Sequence, residues 1–331
     1  MKALVYTGDR QIELRDVPEP RPGQGDALLR VEAVGICGSD MHAWAGHDER
    51  RPPPLILGHE AAGTVLQGPM AGQRVTVNPL VTCGICRFCL SGRDNLCATR
   101  QIISMPPREG AFAELLAIPA RNLVPIPDHV SINISSLAEP LACGWHAVRL
   151  ARQALDQPIE TARCLVFGGG AIGLGAALVL RSLGVSEIWL AEPSAARRAI
   201  VAMRDRVRCF DPRAGGGPDD VDLVVDGVGL GATRAAGSAA LRPGGVFMHI
   251  GLGDAEPGLD IRRATLQELT FIGTYTYTAQ DFRDTADAIF EGRLGALDWA
   301  EAVPMSKASQ VFQRIAAGEI ATPKVTLMPA G

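Results

Sequence analysis

The apolar positions of the 331-residue chain fall into two successive patterns. Up to about residue 135, short apolar runs alternate with Pro and Gly clusters such as EPRPGQG and RPPP. The runs are Ala3 to Tyr6, Ala27 to Ala33, Gly63 to Leu66, Arg74 to Val77 and Ala113 to Ile118. Short runs bounded by turn formers predict strands. Their spacing predicts a β-barrel or sandwich with long functional loops.

From about Cys164 strands and helices alternate. RCLVF predicts a buried strand and Ala171 to Leu183 a small-residue helix. EIWLAE predicts a second strand, Ser194 to Asp205 a helix, and VRCF a third strand. Val221 to Val225 predicts a fourth strand, Ala232 to Leu241 a helix, Val246 to Ile250 a fifth strand and Leu269 to Tyr275 a sixth. A helix over Ala279 to Glu291 and a strand-like tail, KVTLM, follow. This βαβ alternation predicts a parallel, doubly wound sheet.

Composition narrows the function classes. With 47% hydrophobic and 21% charged residues, the chain has material for an ample core. The net charge is −4 and no Lys/Arg block is present. Nothing in that balance argues for a nucleic-acid or membrane partner. The N-terminus, MKALVYTGDR, meets charge and Gly too early for a signal peptide. Eight cysteines without such a signal point to a reducing, cytoplasmic setting, with metal binding or catalysis as their use. The uncharged run Cys164 to Leu180 has the length of a short membrane span, but its five glycines have a better explanation below.

Candidate chemistry concentrates between Gly35 and Glu60. GICGSDMH (Gly35 to His42) and LGHE (Leu57 to Glu60) offer Cys37, His59 and Glu60 as metal ligands. Ser39 and His42 are small proton carriers beside them, and Asp40 is expected to orient a ligand. A thiolate, an imidazole and a carboxylate suit zinc and leave one position open, as a catalytic zinc requires. The alternative is a buried cysteine near a surface His-Glu pair.

Cys83, Cys86, Cys89 and Cys97 form C-x2-C-x2-C-x7-C. Four thiolates at that density fit a closed tetrahedral zinc site. The ferredoxin run starts the same way, but its last gap is three residues and a Pro follows; here Ala98 follows. Such a zinc pins a lobe with few apolar residues of its own.

Gly168-x-Gly170-x-x-Gly173 follows a predicted strand and opens a predicted helix. In that context it reads as a dinucleotide loop, with the pyrophosphate on the helix N-terminus. Ala171 and Ile172 lie inside the loop. Glu192 stands nineteen residues after Gly173, where a carboxylate bonds the adenosine ribose and favours NAD over NADP. Arg197 and Arg198 follow closely and weaken that preference. Val228 and Gly251, beyond the fourth and fifth strands, are further cofactor candidates.

In this order these motifs resemble the zinc-containing medium-chain dehydrogenases, over essentially the whole chain. LAEPLACGWHAVRL (Leu137 to Leu150) resembles the sorbitol (polyol) and threonine dehydrogenase branch. The resemblance implies a GroES-like β-barrel catalytic domain over residues 1–140, completed by 276–331. It also implies a Rossmann nucleotide-binding domain over 141–275. It implies two zinc ions per chain. Cys37, His59 and Glu60 match the catalytic ligands, and Glu139 a fourth carboxylate that binds zinc directly or through water. It implies that Ser39 relays the substrate proton and that His42 is the next group outward. Tyr275 and Tyr277 fall near a substrate-facing aromatic stretch. Thr276 stands where sorbitol dehydrogenases usually carry an Arg, which puts sorbitol in doubt. GTVLQGPMAGQRV is shorter than the family loop and predicts a trimmed hairpin.

Cys143, Cys164 and Cys209 read as small apolar residues. Trp44 and Phe112 line the cleft or fill the core. The expected activity is NAD-linked oxidation of a secondary alcohol in a polyol, sugar alcohol or related compound. The alternatives are a threonine 3-dehydrogenase-like enzyme and a non-catalytic NAD-binding relative. FIGTYTYT reads as an unprotected edge strand, which predicts an isologous homodimer, or a homotetramer built on it.

Overall fold

The computed structural model describes residues 1–203 and 207–329. The chain's Pro- and Gly-punctuated part forms the first large sheet. Its central strand is β1 (Asp26–Gly35), followed at once by α1 (Gly38–Trp44). β2 (Glu60–Gln67) pairs antiparallel with β1, and β3 (Arg74–Val77) pairs antiparallel with β2. The β2–β3 turn closes where Gly72 N–H donates to Val65 O at 2.8 Å, giving the short hairpin that the sequence predicts. β1 buries Ala27, Leu29, Val31 and Ala33 on one face, while Arg30 and Glu32 lie on the other. Trp44 and Phe112 are buried in this core, with ring centroids 6.0 and 6.1 Å from Phe312.

α2 (Ala138–Ala154) leads out of this sheet. Pro140 lies in its first turn, where a missing N–H breaks no helical bond. Next come β4 (Arg163–Phe167), α3 (Ala171–Ser182), β5 (Glu187–Ala191), α4 (Ala195–Ala202) and β6 (Val207–Phe210). The helix expected to reach Asp205 is seen as α4; Arg204 and Asp205 lie outside the described residues. β7 (Val221–Asp226), α5 (Gly231–Ala240), β8 (Leu241–His249) and β9 (Thr270–Gly273) complete a six-stranded sheet. Its order is β6-β5-β4-β7-β8-β9, and every pairing is parallel. The order reverses between β4 and β7, so a crevice opens at their carboxyl ends. The run Cys164 to Leu180 is thus a buried strand, a turn and a helix. Among the described residues no helix is long and apolar enough to cross a membrane.

The sixth strand is shorter than predicted. It stops at Gly273, and three residues later Thr276 takes a φ of 46° that no strand accommodates. After that turn comes α6 (Ala279–Phe290), capped by Thr278, whose hydroxyl accepts from Asp281 N–H. Tyr277, Phe282, Ala286, Ile289 and Trp299 pack in one core with α2, α3 and the parallel sheet. The chain re-enters the first sheet only with β10 (Ala300–Pro304) and β11 (Lys324–Met328). β11 pairs antiparallel with β1 and parallel with β10.

Candidate metal centre and nucleotide site

Strand pairing assembles the first site. Gly35 ends β1 opposite Glu60, which opens β2. Cys37 lies two residues beyond the first, and His59 one residue before the second. One ligating atom from each of Cys37, His59 and Glu60 lies within 4.8 Å of the others. The approach is so close that a Cβ on Gly35 would sit 1.9 Å from Glu60 Oε2. Glu60 is fully buried, and its Oε1 accepts from Lys324 Nζ at 2.5 Å. Its Oε2 has no partner. A buried carboxylate oxygen left orphaned is costly. Beside a thiol and an imidazole, a bound cation is what would satisfy it, so the donor set fits zinc.

Further groups hold this set in place. His59 Nδ1 lies 3.3 Å from Ser104 Oγ and 3.5 Å from Asp40 Oδ1, which leaves Nε2 for a metal. Asp40 accepts Cys37 N–H at 2.9 Å and Gly58 N–H at 3.1 Å. Burial would raise the Asp40 carboxyl, but His59 and Arg51 outweigh it and hold it below the usual range. Lys324 is buried on β11 and also donates to Ile36 O at 2.9 Å. Burial favours its neutral form, yet Glu60 and Cys37 raise its pKa.

Glu139, the expected fourth carboxylate, stands outside the three-donor set. It opens α2, and its Oε1 accepts the Tyr277 hydroxyl at 2.6 Å. Burial, reinforced by Glu60, raises its pKa although His59 opposes. Cys143, one turn further along α2, is pushed well up by burial and by Glu139, and does not join the donors. Ser39 is half-buried in the first turn of α1, and His42 is exposed one turn on, along the same face. Tyr277 is fully buried, whereas Tyr275 is half-buried with the Arg100 guanidinium 4.5 Å from its ring centre. Thr276 between them is strained, and its buried hydroxyl has no partner.

The glycine loop runs from β4 into α3. Gly168 takes a φ of +95°, and a Cβ on Gly173 would meet Gly168 O at 2.0 Å. Gly170 caps α3 and faces open space. No side chain caps that helix, so its first N–H groups, around Ala171 and Ile172, are available to an anion. Glu192, just past β5, accepts Gly169 N–H and Ser194 N–H, both at 2.8 Å. Val228 and Gly251 lie beyond the carboxyl ends of β7 and β8. A Cβ on Gly168 would meet Val228 Cγ2 at 2.8 Å, and one on Gly251 would meet Val228 O at 2.4 Å. Room for a pyrophosphate beside a fixed carboxylate fits a nicotinamide dinucleotide. Arg197 stands beside this carboxylate, its Nη1 3.8 Å from Glu192 Oε2, while its Nε and Nη2 donate to Ala321 O and Ile320 O, each at 3.1 Å. Asp226, which sequence reasoning missed, is fully buried and ties Val228 N–H and Gly229 N–H at 2.9 and 2.8 Å.

Cys83, Cys86, Cys89 and Cys97 form a second group of donors within 4.8 Å of one another. The backbone N–H groups of Ile85 and Cys86 bring the Cys83 thiol down to about 6, ready to serve as a thiolate. Between Cys83 and Cys97 only Asn95 and Cys97 are buried. The lobe therefore has almost no core of its own, and four thiolates suit a zinc that would fold it.

Comparison with known proteins gives the family. Residues 23–128 match the family described as Alcohol dehydrogenase GroES-like domain, and residues 171–291 the family Zinc-binding dehydrogenase. L-galactonate-5-dehydrogenase of Escherichia coli K12 is 30% identical over 95% of both chains. An Aspergillus clavatus protein named "Probable D-xylulose reductase A" is 30% identical over 96% of this chain and 94% of its own. The crystal structure of a Sinorhizobium meliloti 1021 protein bound to NADP superposes with a TM-score of 0.88, at 29% identity over 99% of both chains. The chain belongs to the zinc-containing medium-chain alcohol dehydrogenase family, a family of NAD(P)-linked oxidoreductases.

Proposed function

We propose that this protein oxidises a secondary alcohol of a polyol, sugar alcohol or sugar acid to a ketone, reversibly and with NAD. The observation that carries this reading is the orphaned Glu60 Oε2 beside Cys37 and His59, an incomplete set inside the fold. When bound, zinc supplies Lewis acidity to a substrate oxygen and the nicotinamide supplies the redox chemistry. Everything else falls to the chain's own residues. Lys324 fixes one oxygen of Glu60 and leaves the other for the metal. Asp40 and Ser104 set the His59 ring. Ser39 takes the substrate's hydroxyl proton and passes it outward along α1 to His42 at the surface. The start of α3 holds the pyrophosphate, and Glu192 holds the adenosine ribose. A carboxylate there repels a 2′-phosphate, which supports NAD over NADP, and Arg197, with its Nη1 3.8 Å from Glu192 Oε2, works against that preference.

On this reading residues 1–140 are catalytic and the cofactor domain begins at 141. The packing of 277–299 with the parallel sheet supports a return near Ala300 rather than at 276. Eight free cysteines suit the cytoplasm, and the exposed β9 edge suits a homodimer.

A panel of aldonates, pentitols, hexitols and threonine, followed by NAD reduction, tests the activity. Turnover of polyols or aldonates is expected. Turnover of threonine alone favours the amino-alcohol reading, and no turnover by zinc-loaded protein favours a non-catalytic relative.

A further inference from the structure

The cysteine lobe docks on the segment that joins β9 to α6. Asn95 Nδ2 donates to Tyr275 O at 2.9 Å. The Asp94 carboxylate accepts Ala279 N–H at 3.1 and 3.2 Å, so it caps a helix 185 residues away. Arg100 stacks on the Tyr275 ring with 4.5 Å to its centre. From the other side α2 grips the same segment. Asp281 receives His146 Nδ1 at 2.7 Å and Arg149 Nε at 2.6 Å, and it accepts Thr278 N–H at 3.1 Å. Between the two grips Tyr277 donates to Glu139.

Thr276 shows that this path is imposed. A β-branched residue at φ 46°, with its buried hydroxyl unpartnered, is locally unfavourable. Such a conformation persists only where its surroundings over-determine it. The contacts on the lobe side are polar and directional, so they fix atoms rather than cover area.

The geometry points to Asp94 and Asn95 as positioning residues that hold the Tyr277 hydroxyl on Glu139. The cysteine lobe thereby sets a carboxylate whose field reaches His59 and Glu60. This rests on the reading of Glu139 as part of the catalytic centre. The lobe thus has a task besides its own folding: it is one jaw of a clamp, with α2 as the other.

The test compares Asp94→Ala, Asn95→Ala, Asp94→Asn and Tyr277→Phe with the wild type, each checked for two zinc ions per chain. Hydrogen exchange reads the clamp without turnover. Asp94→Ala and Asn95→Ala should speed exchange at residues 275–279 and at the start of α2. With a substrate found by the panel, they should lower kcat about tenfold while KM for NAD stays put. Asp94→Asn keeps an oxygen for Ala279 N–H and should recover most of the loss. Added to Tyr277→Phe, Asp94→Ala should cost nothing further, because the effect runs through that hydroxyl. Additive losses, full turnover despite faster exchange at 275–279, or unchanged exchange at the start of α2 would each overturn the proposal. If Asp94→Ala does not fold, Asn95→Ala tests the other contact. A wild type that oxidises no alcohol refutes the dehydrogenase reading, and the exchange data still decide the clamp.

Discussion

Glu60 illustrates how one buried carboxylate can organise a site. One of its oxygens faces Lys324 at 2.5 Å, and the other has no partner. Lys324→Met should therefore destabilise the metal-free protein by about 3–5 kcal/mol, since it leaves a buried charge uncompensated. Urea unfolding measures this, and Glu60→Gln in the same chain should restore much of the loss. A loss below about 1 kcal/mol would mean that the pair is not buried in solution. Glu192 makes a second prediction. A hydrogen bond to a charged group contributes roughly 1.5–3 kcal/mol. Glu192→Ala should thus weaken NADH binding about tenfold to hundredfold and improve relative use of NADP. Fluorescence titration reads both, and a wild type that prefers NADP refutes the role. The meeting of Cys37, His59 and Glu60 was legible in the sequence because each lies in a short run with its neighbours. Lys324 was not, since its partner is 264 positions away and only the β11–β1 pairing joins them. Nor did the sequence reveal that the Tyr277 hydroxyl turns to Glu139; its position pointed to substrate instead.

At the level of elements, the parallel strands were the easiest to read. A strand covered on both faces is a near-continuous apolar run, as in the CLVF of RCLVF and the LVV of VDLVV. The errors have local causes. β8 begins at Leu241 rather than Val246: Leu241 pairs with Val221 and Val246 with Leu223, and the RPGG between them, which reads as a turn, is an irregularity inside the strand. The helix Ala308–Ala316 was missed because only a few apolar positions, such as Val311 and Phe312, anchor it. The cysteine lobe was legible from spacing alone, but its docking on Tyr275 and Ala279 was not. Metal removal tests that element. A chelator strong enough to strip the Cys83, Cys86, Cys89 and Cys97 site should lower Tm by roughly 5–10 °C, as a few kcal/mol does in a chain of this size. Cys89→Ala should do the same. Cys37→Ala should instead leave Tm nearly unchanged while one zinc and the turnover are lost. Calorimetry with metal analysis separates the cases, and equal Tm losses would show that the two sites do not divide structure and catalysis.

For the whole molecule, the six-stranded sheet ends in β9, a strand with one edge unpaired among the described residues. Thr274 N–H is turned inward to His249 O at 2.9 Å. Parallel strands present alternate residues to a neighbour, so Phe271 and Gly273 direct their N–H groups outward. Phe271 is 40% exposed, and a Cβ on Gly273 would meet nothing within 4 Å. Leu252, Ile261 and Leu266, nearby in sequence, are also exposed. An unpaired edge beside apolar side chains is a surface suited to another chain. A two-fold axis across β9 would lay the strand antiparallel to its own copy and continue the sheet through both subunits. Residues near that axis meet themselves, so a charge placed there faces a like charge. Phe271→Lys should therefore shift the protein to monomer, with little change in the secondary structure of each subunit. Light scattering at micromolar concentration reads the assembly. A dimeric wild type and a monomeric variant are expected; a wild type that is already monomeric would reject the β9 interface.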